Sequence, residues 1–166
     1  VLGRAARLHE VGLLLTHDRH HKHGAYVLEH SDLPGYSRDD QLLLAALVRR
    51  QRRAFPARAF AHLPKEWARP APRLCVLLRL AVVLHRGRSS EPLPAIALRV
   101  DRRRIVLHFP QNWLDEHPLT RADLQIEARL LRKAGFALRL RCTENSEHPA
   151  PTAAPAASAA SAAQVP

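Results

Sequence analysis

Six of the chain's eleven histidines lie between His9 and His30, and His17, His20, His21 and His23 crowd into seven residues. Imidazole ligates metals, moves protons near neutral pH and, when charged, holds anions. Three chemistries are therefore open to this stretch: a metal centre, a proton-handling pair or a cradle for phosphate-like groups. For a metal, His9-Glu10 supplies a nitrogen and a carboxylate in a helical pattern. The same pair could act as base and acid, although adjacent helical residues point in different directions. For anions, "HHKHG" places His20, His21, Lys22 and His23 at a predicted helix start, where free backbone N–H groups attract negative charge. "VRRQRR" puts Arg49, Arg50, Arg52 and Arg53 at the end of another predicted helix, suited to bidentate phosphate contacts. If the two basic ends face each other they form a channel. If they do not, both are solvated helix ends, and spacing alone does not choose.

The elements that must position these groups can be read in order. Leu2, Ala5, Ala6, Leu8 and Val11 recur at helical spacing with no cap before them, predicting one helix that runs until Thr16. A second helix spans about His20 to Glu29 and closes at "SDLPGY", where Pro34-Gly35 favours a tight turn. Ser37 reads as an N-cap with Asp40 three residues on. The helix it starts should bury Leu42, Leu43, Ala46 and Leu47. After a proline-punctuated stretch, "RLCVLLRLAVVLHR" is apolar on nearly every face, the mark of a central helix. The period then changes: "AIALRV" and "RIVLHF" alternate across "DRR" as a hairpin, Thr120 is a candidate cap for a helix stopping at Gly135, and "FALRLR" is a third strand. From Glu144 the chain is Ala, Ser and Pro with one large apolar residue, Val165, and should be disordered. The expected fold is mainly α: a helical domain over 1–88, a small α+β (β-β-α-β) module over 89–142 and a tail over 143–166.

Composition bounds the function. Apolar residues make up 46% of the 166, enough for a core, and 26 Lys+Arg against 15 Asp+Glu leave a formal charge of +11. Such a charge favours polyanionic partners, although Arg-, Ala- and Pro-rich usage also follows from a GC-rich genome. Nucleic acid is disfavoured, because aromatics reach only 5% and do not interleave with the arginines, Phe55 excepted. Two cysteines, Cys75 and Cys142, exclude a disulfide framework or thiolate zinc site and fit a reducing compartment. No apolar run reaches membrane-spanning length, which predicts a soluble cytoplasmic protein without a membrane partner. With 6 glycines and no phosphate loop or nucleophile motif, nucleotide hydrolysis has no visible machinery. The chain holds no Met and opens in mid-helix, which predicts the C-terminal piece of a longer protein.

"LHE" at 8–10, "HHKHGAYVL" and "LLRLAVVLH" resemble successive helices of HD-type phosphohydrolases, metalloenzymes that activate water against phosphoesters. Where that family's closing aspartate would stand this chain has Val82, and Glu10 stands where the pair would carry aspartate. The motif formed by His9, Glu10 and Val82 is therefore degenerate, and no metal or other cofactor is expected in this chain. The fuller match is to another family. "AARLHEVGLLLTHDRHHKHGAYVLEHSDLPGYSRDDQLLLAALVRRQRR", "LCVLLRLAVVLHR" and "LHFPQNWLDEHPL" resemble the C-terminal half of the exopolyphosphatase / guanosine pentaphosphatase (Ppx/GppA) family over roughly residues 1–142.

That resemblance implies an enzyme whose N-terminal catalytic half, with its Mg2+, trims polyphosphate or converts pppGpp to ppGpp. It implies that this HD-like half holds the polyanion, partners the catalytic half and forms a homodimer, while being inactive alone. Arg49, Arg52 and Arg53 fall at family basic positions, whereas Gln51 departs from the expected histidine. Two other readings are a metal-dependent HD phosphohydrolase, which metal analysis would reveal, and a nucleic-acid-binding module, which should prefer RNA or DNA to polyphosphate.

Overall fold

The computed structural model describes residues 1–53, 56, 58–87 and 92–143. The expected tail, together with Phe55 and the start of the "SSEPLP" connection, lies outside them. Helix α1 (Leu2–Leu8) is followed by a 3₁₀ turn (Val11–Leu14), α2 (His20–His30), α3 (Arg38–Arg50), a single turn α4 (Lys65–Ala68) and α5 (Ala71–Leu84). The remainder is β1 (Ala97–Asp101), β2 (Arg104–Pro110), α6 (Trp113–Glu116), α7 (Pro118–Lys133) and β3 (Ala137–Thr143).

Local chemistry sets most boundaries. Ser37 Oγ accepts from the Asp40 N–H at 3.1 Å, so the predicted N-cap of α3 is made. Pro34-Gly35 forms the predicted turn, with Gly35 at φ 83° and the Tyr36 N–H donating to Leu33 O at 3.2 Å. At the end of α2 the orphan carbonyls are satisfied from α3: Gln41 Nε2 donates to Leu28 O and Ser31 O, and Arg38 donates to Glu29 O. Gly135 stops α7 as predicted, at φ 82°; its N–H bonds Arg132 O while the Phe136 N–H bonds Leu131 O, the paired bonds of a Schellman motif.

Three local expectations need correcting. The opening helix does not run to Thr16 but breaks at His9-Glu10, because Gly12 must lie against the backbone of His20 and Gly24. α7 begins at Pro118 rather than Thr120, since proline at a first helical position needs no N–H and already has helical φ. In α3 Leu42 is only half-buried, while Leu44, Ala45 and Val48 join Leu43, Ala46 and Leu47 in the core. That helix is covered on more than one side, by α2, α1 and α5.

α5 touches α1, α3 and α7, the central place its all-round apolar pattern predicts. The sheet has order β1-β2-β3, with β1-β2 antiparallel around Arg102 at φ 51° and β2-β3 parallel. A parallel neighbour requires a crossover, which α6 and α7 supply. Ile105, Leu107 and Phe109 alternate into the core from β2. They belong to the same apolar cluster as Leu43, Leu47, Val76 and Leu131, so helices and sheet share one buried interior.

Candidate functional site

The break after α1 and the ends of α2, α3 and α5 surround a cavity of about 570 Å3. Its floor is apolar, from Ala6, Leu78, Ala81 and Val82; its walls are polar, from His9, Glu10, His20, Gln51, Arg52, His85 and Arg86. His9, Glu10 and Val82, singled out together in the sequence, thus line one cavity although the first and last stand 73 positions apart.

The polar wall is held by specific contacts. His9 Nδ1 lies 2.8 Å from Ala6 O, and its Nε2 lies 3.9 Å from the Glu10 carboxylate. Gln51, buried, donates from Nε2 to His9 O and so ties the end of α3 to the end of α1. Where the resemblance expects histidine, this chain therefore has an amide that works as a strut rather than a cation. His20 Nδ1 lies 3.2 Å from His17 O and 3.3 Å from Arg52 Nη1. The first contact needs a proton on Nδ1 and the second needs a lone pair, so a single tautomer makes only one of the two hydrogen bonds. Among the described residues, no three His, Cys, Asp or Glu side chains are placed to hold a metal ion. Val82, which lines the same cavity, contributes no donor atom.

The basic residues singled out in sequence separate into groups. The start of α2 and the end of α3 do face each other: Arg52 meets His20, and Arg53, at φ 62°, lies 3.7 Å from Asp18 just before α2. Arg49 is exposed, and so are Lys22 and His23, which do not line the cavity. Arg50 is half-buried; burial and the neighbouring Arg49 lower its pKa, and its carbonyl accepts from Arg79. His21 is 4% exposed, and its Nδ1 finds no hydrogen-bond partner among the described residues.

Burial, followed by the charges of Arg52, His20, Arg53 and Lys22, lowers the pKa of His21 from 6.5 to about 4. His21 is thus a neutral residue beneath the basic surface. Between its unfolded and folded pKa values the unfolded chain binds the extra proton, so folding weakens as pH falls from about 6.5 towards 4. Replacing His21→Leu should flatten that dependence by on the order of 1–2 kcal/mol between pH 7 and pH 5. Urea unfolding of both proteins at the two pH values measures it; parallel pH dependences would refute it.

Sequence reasoning missed the contact that joins helices to sheet module. Arg79 on α5, 1% exposed, donates from Nε and Nη2 to both carboxylate oxygens of Glu127 on α7, at 2.5 and 2.9 Å. Its Nη1 donates to Arg50 O at the end of α3, at 2.7 Å. The signals were present: an arginine inside an apolar helix, and a glutamate on the stripe of Leu124 and Leu131, both demand a buried partner. Beside them Cys75 is buried, and burial pushes its thiol up to about 12, making it an inert core group as its surroundings predict. No helix among the described residues is long and apolar enough to cross a membrane.

Comparison with known proteins bears on this arrangement. The family model for Ppx/GppA phosphatase, domain III, matches residues 1–128. The guanosine-5'-triphosphate,3'-diphosphate pyrophosphatase of Vibrio cholerae serotype O1 is 36% identical over 145 residues, which cover 86% of this chain and 28% of that protein. Those of Aeromonas hydrophila and Pseudoalteromonas translucida are 34% and 33% identical over 84% and 83% of the chain. The chain spans 28% of the length of each of these relatives. With the α1–α5 helices and the α+β module as far as most of α7 inside the matched range, this chain belongs to the Ppx/GppA phosphatase family, as its domain III.

Proposed function

We propose that this chain is the substrate-holding region of a phosphoric anhydride hydrolase acting on pppGpp or inorganic polyphosphate. In this reading hydrolysis, and the Mg2+ it uses, belong to a separate catalytic half. The chain's own work is electrostatic: it holds the phosphate chain. The observation that carries the reading is the meeting of two basic helix ends, with Arg52 against His20 and Arg53 near Asp18 just before α2, while Arg49 is exposed on the last turn of α3. Guanidinium groups hold phosphate oxygens through paired N–H donors and lose little hydration in doing so. Lys22 extends the same charge along the exposed side of α2, with His23 beside it. The helical unit over about 1–88 keeps an HD-like scaffold whose metal chemistry has lapsed at Val82, and the α+β module over 89–142 braces it through Glu127. Homodimerisation accompanies this role.

Titration of the chain with inorganic polyphosphate at several salt concentrations tests the reading. Replacing Arg49, Arg52 and Arg53 together by Ala should weaken binding at least tenfold and reduce the log–log salt slope by about 2, as each lost phosphate contact releases fewer counterions. Unchanged affinity and slope in the triple variant would remove the channel.

A further inference from the structure

β2 turns Ile105, Leu107 and Phe109 to the core, so Arg104, Val106 and His108 point to the opposite face of the sheet. The strand register fixes their neighbours on that face. Val106 lies between Arg99 on β1 and Arg139 on β3, Arg104 stands beside Ala137, and His108 lies between Ala97 and Arg141. All four arginines are exposed, and none of them has an ion-pair partner among the described residues. Asp101, paired with Arg104 at the turn, is the one acidic group among the described residues of this face. The other acids described in the α+β module, Asp115, Glu116, Asp123 and Glu127, lie on α6 and α7. Gathering one sign of charge on a face costs self-repulsion, which a partner of opposite charge relieves. None of these residues lines the cavity, so this is a second surface.

We propose that this sheet face docks an acidic amphipathic helix of another protein. Ala97, Val106 and Ala137 form a diagonal apolar stripe across the three strands. Arg99 and Arg104 flank it on one side, Arg139 and Arg141 on the other. The spacings of strands and residues in a sheet make the stripe roughly 16 Å long, about three turns of a helix. Its alanine ends are shallow and let a helix approach, while half-buried Val106 is the central anchor. A helix with apolar residues at three- and four-residue intervals fills the stripe. Glu or Asp on both sides of that apolar face then meets the guanidinium groups, whose paired N–H donors match a carboxylate. A nucleic acid has only its charge to use here, because the face offers no Phe, Tyr or Trp on which a base stacks. A second copy of the chain, itself at +11, is repelled.

Calorimetric titration of the chain with three synthetic probes tests the surface. The first is a peptide of about five helical turns, with a leucine stripe flanked by glutamates. The second has glutamine for leucine at the same charge, and the third is duplex RNA of equal charge. The leucine peptide should bind about tenfold tighter than the glutamine peptide, and Val106→Gln should remove that advantage. Arg99→Glu with Arg139→Glu should weaken the leucine peptide at least about tenfold, by losing two pairs and adding two repulsions. Arg69→Glu with Arg73→Glu makes the same change of net charge on exposed residues of the helical unit and should cost less than about threefold. Equal affinity for the two peptides, or an advantage that survives Val106→Gln, overturns the apolar stripe and with it the helix. Equal losses in the two double variants reduce the effect to net charge and overturn the site. RNA that binds tighter than the leucine peptide and is lost in the Arg99/Arg139 variant makes the face a nucleic-acid surface and overturns the protein partner. No binding of the leucine peptide overturns the proposal outright.

Discussion

Glu127→Ala should lower the unfolding free energy by about 3–5 kcal/mol, because it strands the Arg79 guanidinium in a dry interior. Arg79 is 1% exposed, and both oxygens of Glu127 are occupied by its N–H groups. Removing the carboxylate leaves two charged donors with no solvent to replace it, and that penalty exceeds the value of an ordinary hydrogen bond. A domain stable by about 5–15 kcal/mol loses a large share of its margin. Arg79→Leu should also be costly, since it uncovers the Glu127 carboxylate and the Arg50 carbonyl together. The double change to leucines should recover most of the loss, because a desolvated ion pair is often no better than apolar side chains of similar volume. Urea denaturation of the parent, Glu127→Leu, Arg79→Leu and the double variant closes the cycle and gives the coupling directly. A single variant within about 1 kcal/mol of the parent would mean that water reaches the pair.

Gly12→Ala is expected to cost about 3 kcal/mol or more, at the upper end of overpacking effects. A Cβ there would lie 2.0 Å from His20 O and 2.5 Å from the Gly24 N, and both are backbone atoms with no rotamer to yield. The 3₁₀ turn would have to lift from α2, moving His9, Glu10 and His20 apart and opening the cavity between them. Gly24 is less tight, with its nearest neighbour at 3.1 Å, so Gly24→Ala should be the milder change. Gly3→Ala is the control: it lies within α1 with nothing near its Cβ position, and alanine should stabilise that helix by up to about 1 kcal/mol. Thermal midpoints of the three variants rank them. Equal midpoints for Gly12→Ala and Gly3→Ala would show that the turn does not touch α2.

Much of this protein was legible from local pattern. The Ser37 cap, the Pro34-Gly35 turn, the Gly135 stop and the switch from helical to strand period after residue 88 depend on bonds within a few residues. The central position of α5 also followed from its sequence, since a helix apolar all round has no face for water. Reading failed where a distant contact overruled the local signal. The helical periodicity through Val11 is real, yet the chain breaks there to seat Gly12 on α2. Gln51 looked like a gap in a basic run and proved to be a strut to His9.

The sequence by itself determined which groups this chain can offer: a cluster of imidazoles and guanidinium groups, and an apolar residue at position 82. Residue type decides that much, because valine has no lone pair in any fold. Only the tertiary structure decided how the groups divide. Of four residues in "HHKH", one lines the cavity, one is buried and neutral, and two face solvent, since successive side chains of a helix are about 100° apart. Likewise only the packing of α5 against α3 and α7 converts Arg79 from a surface-type residue into the buried tie between helices and sheet.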